Sequence, residues 1–401
     1  MSYEPLKMPV ESKIFPPCGK IRRTKIRKDE SMYKMMTPGP TMVAENVRMA
    51  RSMETGNPDL DSDFYDYYKE TCELYSSLLH TKNESLILSG EGILGLEAAV
   101  ASLTEPGDRV LVLDNGVFGK GFEDFVNIYG GEPVLYTSDY KRKIETEPLK
   151  RFLEKDSDFK YATVVHCDTP SGMLNDIAAI CPLLKEYGIL TVVDSVSGMF
   201  GNEVNVDASR IDILCGGSQK AISCPIGLTL VTISEEAKQA MENRKTQIAS
   251  FYGNLLTFKN YYENKWFPYS MPISDIYGLR QALENIKADK DILKRHAEIA
   301  AKTREALTRA GLHLYAENGY SNTVTVFTVP GGVTASEILK TMREDYNIML
   351  AGSFDVMAGE VIRIGHMGYN CTGENMKETL HALDATLRKL GVKLNENLKL
   401  N

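Results

Sequence analysis

The seven cysteines include no C-x-x-C pair; Cys18, Cys72, Cys167, Cys181, Cys215, Cys224 and Cys371 are scattered along the chain. An odd count, apolar surroundings for several of them and no signal-peptide pattern argue against a disulfide framework and predict reduced thiols in a cytoplasm. The six histidines show no metal-ligand spacing, so no structural metal is expected. No apolar run approaches the roughly 20 residues that a membrane span requires. An excess of basic residues is missing too. The net charge of −8 argues against bulk nucleic-acid binding, although a local basic site for an anionic substrate stays open. Internal repeats and low-complexity segments are absent. What remains is 43% hydrophobic and 25% charged, ordinary for a globular protein. A chain of 401 residues is long enough for two domains.

The N-terminus is basic at Lys20, Arg22, Arg23, Lys25, Arg27 and Lys28, but Glu4 and Glu11 do not suit a transit peptide. Residues 1–30 therefore read as a solvated arm, one that could lie across a partner subunit. Pro38-Gly39-Pro40 is a rigid extended segment. Apolar spacing predicts a helix over Phe64 to Leu79. Ser85 to Leu88 is a strand, Ser89-Gly90-Glu91-Gly92 a turn, and Ile93 to Leu103 a helix. A strand, a glycine turn and a helix start form the usual backbone cradle for an anion. Strands are expected at Arg109 to Leu113, Tyr161 to His166, Ile189 to Val193 and Ile211 to Leu214, with helices between them. This alternation implies a mostly parallel α/β sheet covered on both faces. After Pro225 to Val231 come a long charged helix from about Glu235 and another long helix running past Arg295. A smaller domain then carries the strand Asn322 to Val329, Val361 to Gly365 and a last helix from about Glu374 to Leu390. The expected division is an arm over 1–30, a large domain over 31–290 and a small α+β domain over 291–401.

Ligands of parallel sheets bind beyond the carboxyl ends of the strands. Gly90, Asn115, Asp168, Asp194 and Lys220 all fall at such ends. Lys220 closes the run Gly217-Ser218-Gln219-Lys220, and Asp194 ends the strand before it. A lysine and an aspartate so placed suggest a pyridoxal-type cofactor: the lysine holds the aldehyde as a Schiff base and the aspartate keeps the ring nitrogen protonated.

The same residues, with Glu97-Ala98-Ala99, Pro106-Gly107-Asp108, Asn115-Gly116, Pro225-x-Gly227 and Arg363-Ile364-Gly365, resemble the fold-type I, class V aminotransferases of the alanine–glyoxylate (serine–pyruvate) group. The resemblance runs from about Thr37 to the last helix. It implies that Lys220 carries the Schiff base and shuttles a proton, and that Asp194 pairs with the ring nitrogen. Val196 and Phe118 would lie on the two ring faces, Thr169 would lie beside the ring, and Arg363 would grip the substrate carboxylate. Gly90, Glu91, Gly92 and Gln219 would surround the phosphate or its replacement. Phe267 and Ser270 match a tyrosine and a threonine that reach the phosphate across a homodimer, so one hydroxyl is lost. A homodimer, or a tetramer built from it, is implied in the same way.

Glu91 departs from the pattern, since that position usually holds a small hydroxyl residue. A carboxylate beside a phosphate dianion is repulsive. Pyridoxamine–pyruvate aminotransferase, which takes unphosphorylated pyridoxamine as a substrate, shares this feature. The chain is similar to it at Gly90-Glu91, Leu94 to Ala99, Gly116 to Phe122, Asp168 to Gly172 and Arg363 to Gly368. That enzyme has a second arginine where this chain has Phe354. The expectation is an aminotransferase acting on an amine and a small 2-oxo acid such as pyruvate or glyoxylate. Either pyridoxamine or pyridoxal is the exchangeable substrate, or pyridoxal 5′-phosphate is held conventionally. Glu91 also touches the substrate in the first case. In the second it turns to solvent and leaves the backbone N–H groups to a phosphate. A cysteine-desulfurase-type lyase would need a reactive cysteine in the small domain, where only Cys371 is found. A non-catalytic vitamin B6-binding module would not need lysine, aspartate and arginine together.

Overall fold

The computed structural model describes residues 33–400. The arm expected over residues 1–30, with Cys18, lies outside them. The central sheet has seven strands: β1 (Glu84–Ser89), β2 (Arg109–Asp114), β3 (Glu132–Thr137), β4 (Tyr161–Val165), β5 (Leu190–Asp194), β6 (Ile213–Gly217) and β7 (Leu228–Ile233), in the spatial order β1-β7-β6-β5-β4-β2-β3. Strands β2 to β6 run parallel to one another. β4 to β7 are buried at every position or all but one, as expected where helices cover both faces.

Only β7 is antiparallel, to β6 on one side and β1 on the other. The segment between β6 and β7 holds no helix, and a parallel return needs a crossover of a dozen or more residues. The reversal brings the start of β7 to the rim where the other strands end, so Leu228 pairs with Ser89.

Two of the longer elements were not legible in the sequence. β3 carries Pro133 and is only partly buried, a combination tolerated because it is the sheet edge. The helix Thr146–Leu153 buries only Leu149 and Leu153, too few positions to define a period. The charged helix from Glu235 is short, Glu235–Glu242. Beyond it, Arg244 turns away to donate to the Ser102 and Thr104 carbonyls, capping the C-terminus of the helix Gly92–Leu103. The expected long helix past Arg295 is two helices, Ile273–Ala288 and Ile292–Arg309. Asp289 ends the first and pairs with Arg295 of the second.

The described residues form two large hydrophobic cores. One surrounds the sheet, and the other joins Ile299, Leu307, Phe327, Ile338, Ile364, Leu380 and Leu383. Met36 belongs to the second core, because Lys34–Met35 pairs with Ile348–Met349. The strand Val361–Gly365 pairs antiparallel with Val324–Thr328 beside it.

Three buried histidines and several hydroxyls line the seam between these regions. His166 meets the Ser195 hydroxyl at 2.9 Å, and His366 meets Thr325 at 2.8 Å. Gly368 N–H donates to His296 at 2.9 Å, and the Thr323 hydroxyl to the Ser197 carbonyl at 2.8 Å. Burial penalises the imidazolium, so His166 and His296 are pushed down to about 4 and His366 to about 3. Unfolded, each titrates near 6.5. Between about pH 6.5 and 4 the unfolded chain therefore binds more protons, and stability falls as pH falls, each imidazole contributing a slope of up to about 1.4 kcal/mol per pH unit. Asp194, pushed up to about 7, and Asp168, also raised by burial, act in the opposite sense, but as two groups against three. The urea midpoint of the apoprotein is expected to drop between pH 7 and pH 5, with a shallower drop in His366→Gln. Equal midpoints at the two pH values would refute the assignment.

Candidate active site

Lys220 follows β6 in a turn closed by Ser218 N–H on the Leu228 carbonyl (3.0 Å) and Cys224 N–H on the Ser218 carbonyl (2.9 Å). Its Nζ donates to the Pro38 carbonyl at 2.6 Å. Burial pushes the amine down to about 8, with Arg363 acting in the same direction and Cys167, Asp194 and Glu91 against it. Gly39 makes room for this side chain. A Cβ there would stand 2.4 Å from Lys220 Cδ and 2.7 Å from Nζ, and its φ of +94° is unfavourable for any other residue. The obstructing atoms belong to a flexible side chain, so Gly39→Ala is expected to displace the lysine rather than unfold the protein. Its capture of pyridoxal should be slowed at least about 10-fold, with a stability loss of only about 1 kcal/mol. Unchanged capture kinetics would show that the lysine does not depend on this gap.

Asp194 ends β5, level with Val165 of β4 and Cys215 of β6. The residue is 5% exposed, and its carboxylate accepts from Val196 N–H at 2.9 Å. Among the described residues no lysine or arginine lies within ion-pair distance of it. Burial therefore pushes it up to about 7, with Lys220 and the Val196 N–H partly offsetting the rise. A buried carboxylate in this condition is suited to a protonated ring nitrogen.

Glu91 is the N-cap of the helix Gly92–Leu103. One carboxylate oxygen accepts from Ile93 N–H at 3.0 Å and the other from the Gln219 amide at 3.1 Å. The side chain thus turns towards the Lys220 loop and not into solvent. The Gln219 Oε1 is buried without a hydrogen-bond partner. The cradle is already lined by a carboxylate and an unpaired acceptor, so it calls for a donor.

Val196 fills the space left by two glycines: a Cβ on Gly92 would lie 2.8 Å from it and one on Gly217 3.0 Å. Thr169 is buried beside Asp168. The Asp168 carboxylate accepts from Phe118 N–H at 3.0 Å and from the Ser171 hydroxyl at 2.6 Å, which fixes the start of the helix bearing Phe118. This anchoring was missed in the sequence, although Asp168-Thr-Pro-Ser is turn-forming chemistry.

Arg363 is partly buried on the strand Val361–Gly365, and its Nε donates to the Gly352 carbonyl at 2.5 Å. Burial pushes it down to about 10, with Asp168 opposing. Among the described residues no carboxylate reaches ion-pair distance of its guanidinium. The Phe354 ring lies 5.6 Å from that guanidinium and 6.0 Å from the Phe118 ring, edge-on at 78°.

Phe267 and Ser270 are not brought to this group within the chain. Phe267 stacks on Tyr65 at 4.6 Å in an aromatic cluster with Tyr68 and Tyr261, and Ser270 donates to Asp59 at 2.6 Å. Cys371 is fully buried and its thiol is pushed up to about 12 by that burial, which does not suit a lyase nucleophile.

A family model described as aminotransferase class-V matches residues 41–374. The chain belongs to the class V aminotransferases. Relatives of this transaminase include an uncharacterized aminotransferase of Methanocaldococcus jannaschii, 34% identical over 90% of this chain and 94% of its own. The pyridoxamine–pyruvate transaminase of Mesorhizobium japonicum is 30% identical over 84% and 87%. Among solved structures, the ureidoglycine–glyoxylate aminotransferase of Bacillus subtilis superposes with a TM-score of 0.88 at 28% identity, covering 92% of this chain and 97% of that one. Pyridoxamine-pyruvate aminotransferase from Mesorhizobium loti superposes with a TM-score of 0.87 at 29% identity, covering 92% and 95%. Membership implies a pyridoxal-phosphate-class cofactor, and the depressed lysine and the Asp194 carboxylate without an ion-pair partner fit its ring. No helix among the described residues is long and apolar enough to cross a membrane.

Proposed function

We propose that this aminotransferase moves an amino group from pyridoxamine to a small 2-oxo acid such as pyruvate or glyoxylate, and that the B6 vitamer enters unphosphorylated and leaves as a product. The observation that carries this reading is the Glu91 carboxylate, which caps the helix where backbone N–H groups would otherwise receive a phosphate. A hydroxymethyl group could donate to Glu91 or to the unpaired Gln219 oxygen, whereas a phosphate dianion has nothing to donate.

A bound B6 ring supplies an electron sink for the carbon that carries the amino group. Asp194 holds a proton on the ring nitrogen. Phe118 and Val196 confine the ring, and Thr169 borders it. Lys220 Nζ takes and returns the proton on the reacting carbon, a task that a neutral amine performs and an ammonium does not. Arg363 orients the acceptor carboxylate with a planar fork. In this reading the enzyme is a homodimer in which the exposed Ser270 faces the partner's site, whereas Phe267 is buried in its own chain's aromatic cluster and does not reach it.

The deciding measurement compares binding of pyridoxal and pyridoxal 5′-phosphate to the apoprotein, in the wild type and in Glu91→Ser. A wild type that prefers the phosphorylated form, with a variant that binds it no better, would leave the conventional alanine–glyoxylate-type reaction.

A further inference from the structure

Phe354 stands out because it touches both halves of the site. Its ring meets Phe118, beside the ring slot, and faces the guanidinium of Arg363, which anchors the carboxylate. It belongs to the segment that holds Arg363 in place, since Gly352 accepts from Arg363 Nε. Between Gly352 and Phe354, the Ser353 hydroxyl is buried and unpaired. Phe354 and Val356 are 43% and 69% exposed, an apolar lip beside a partly buried cation. Within this group Arg363 is the only cation besides Lys220, and the buried Asp168 carboxylate stands behind Phe118 on its N–H.

We infer that Phe354 determines specificity, selecting 2-oxo acids with one carboxylate and an apolar side chain that lies against the Phe354 ring. An acceptor whose carboxylate occupies Arg363 presents its side chain to the aromatic rings of Phe354 and Phe118. A second carboxylate would meet apolar ring carbon with no second cation to receive it and the buried Asp168 carboxylate nearby. A methyl or isobutyl group would instead lose apolar surface to the rings. The inference rests on Arg363 as the carboxylate anchor and is independent of which B6 vitamer the enzyme uses.

The test is kcat/KM for pyruvate, 4-methyl-2-oxopentanoate and 2-oxoglutarate, measured with pyridoxamine and separately with L-alanine as donor. In the wild type the branched acceptor is expected to match or exceed pyruvate, and 2-oxoglutarate to fall roughly 100-fold below it, the scale of an unpaired charge set against an apolar wall. Phe354→Arg should raise the 2-oxoglutarate-to-pyruvate ratio at least about 10-fold, and Phe354→Leu should keep the wild-type order. The inference is overturned if 2-oxoglutarate rivals pyruvate in the wild type, if the branched acceptor is more than about 10-fold worse than pyruvate, or if Phe354→Arg leaves the ratio unmoved. Turnover with L-alanine but not with pyridoxamine would sink the vitamer reading alone, and the acceptor ratios would still decide the role of Phe354.

Discussion

Glu91→Ser is expected to raise affinity for pyridoxal 5′-phosphate over pyridoxal by two to three decades. Two unit charges about 4 Å apart interact by about 4 kcal/mol at an effective dielectric near 20, and each 1.4 kcal/mol is about tenfold in affinity. The substitution is clean because serine is itself a preferred N-cap. The helix Gly92–Leu103 keeps an oxygen for its first N–H groups while the charge is removed. Glu91→Gln serves as the companion, with a similar shape and no charge. Both variants should gain the phosphorylated ligand, and only the wild type should discriminate strongly against it. Titration of the apoprotein, followed by absorbance, reads the change directly. Equal discrimination in all three proteins would mean that the carboxylate is a helix cap and nothing more.

Lys220→Ala is expected to lower turnover about a thousandfold or more, the usual scale for loss of a positioned proton-transfer group, and to abolish the visible band formed with pyridoxal. The wild type allows a finer test. Capture of an aldehyde needs the neutral amine, and burial has pushed Lys220 down to about 8. Capture by the apoprotein should therefore rise from pH 6 to pH 9 with a midpoint near 8. An ordinary lysine would place that midpoint near 10.4. Borohydride trapping followed by mass spectrometry would locate the attachment. A midpoint near 10 would contradict the desolvated environment, and trapping at another lysine would contradict the assignment itself.

Much of this site was legible because its chemistry is local in the chain. Asp194 closes a short apolar run and Lys220 lies three residues beyond another, and the period of strand and helix puts both on one rim. Glu91 could be singled out as a departure from a pattern, but its orientation could not be read. That depends on Gln219, which lies 128 positions away and meets Glu91 only after β7 reverses beside β1. Phe354 was legible only as a missing arginine. Its contacts with Phe118 and Arg363 arise from the packing of separate segments, which no spacing encodes. The buried histidines were invisible for the same reason: on a strand end or a helix, an enclosed imidazole reads like a solvated one.

The stretch from Lys34 to Thr41 is hydrogen-bonded along both sides. Met36 N–H donates to the Met349 carbonyl at 2.8 Å, and the Met36 carbonyl accepts from Gly365 at 2.8 Å, two residues beyond Arg363. Pro38 then receives the Lys220 amine, and Thr41 N–H bonds the Gln219 carbonyl at 3.1 Å. The guanidinium proposed to take the carboxylate and the amine proposed to take the proton are thus strung on one short length of backbone. Under that proposal the length works as a gauge from the acid end of the substrate to its reacting carbon, and a 3-oxo acid, longer by one carbon between those points than a 2-oxo acid, is expected to be out of step with the lysine.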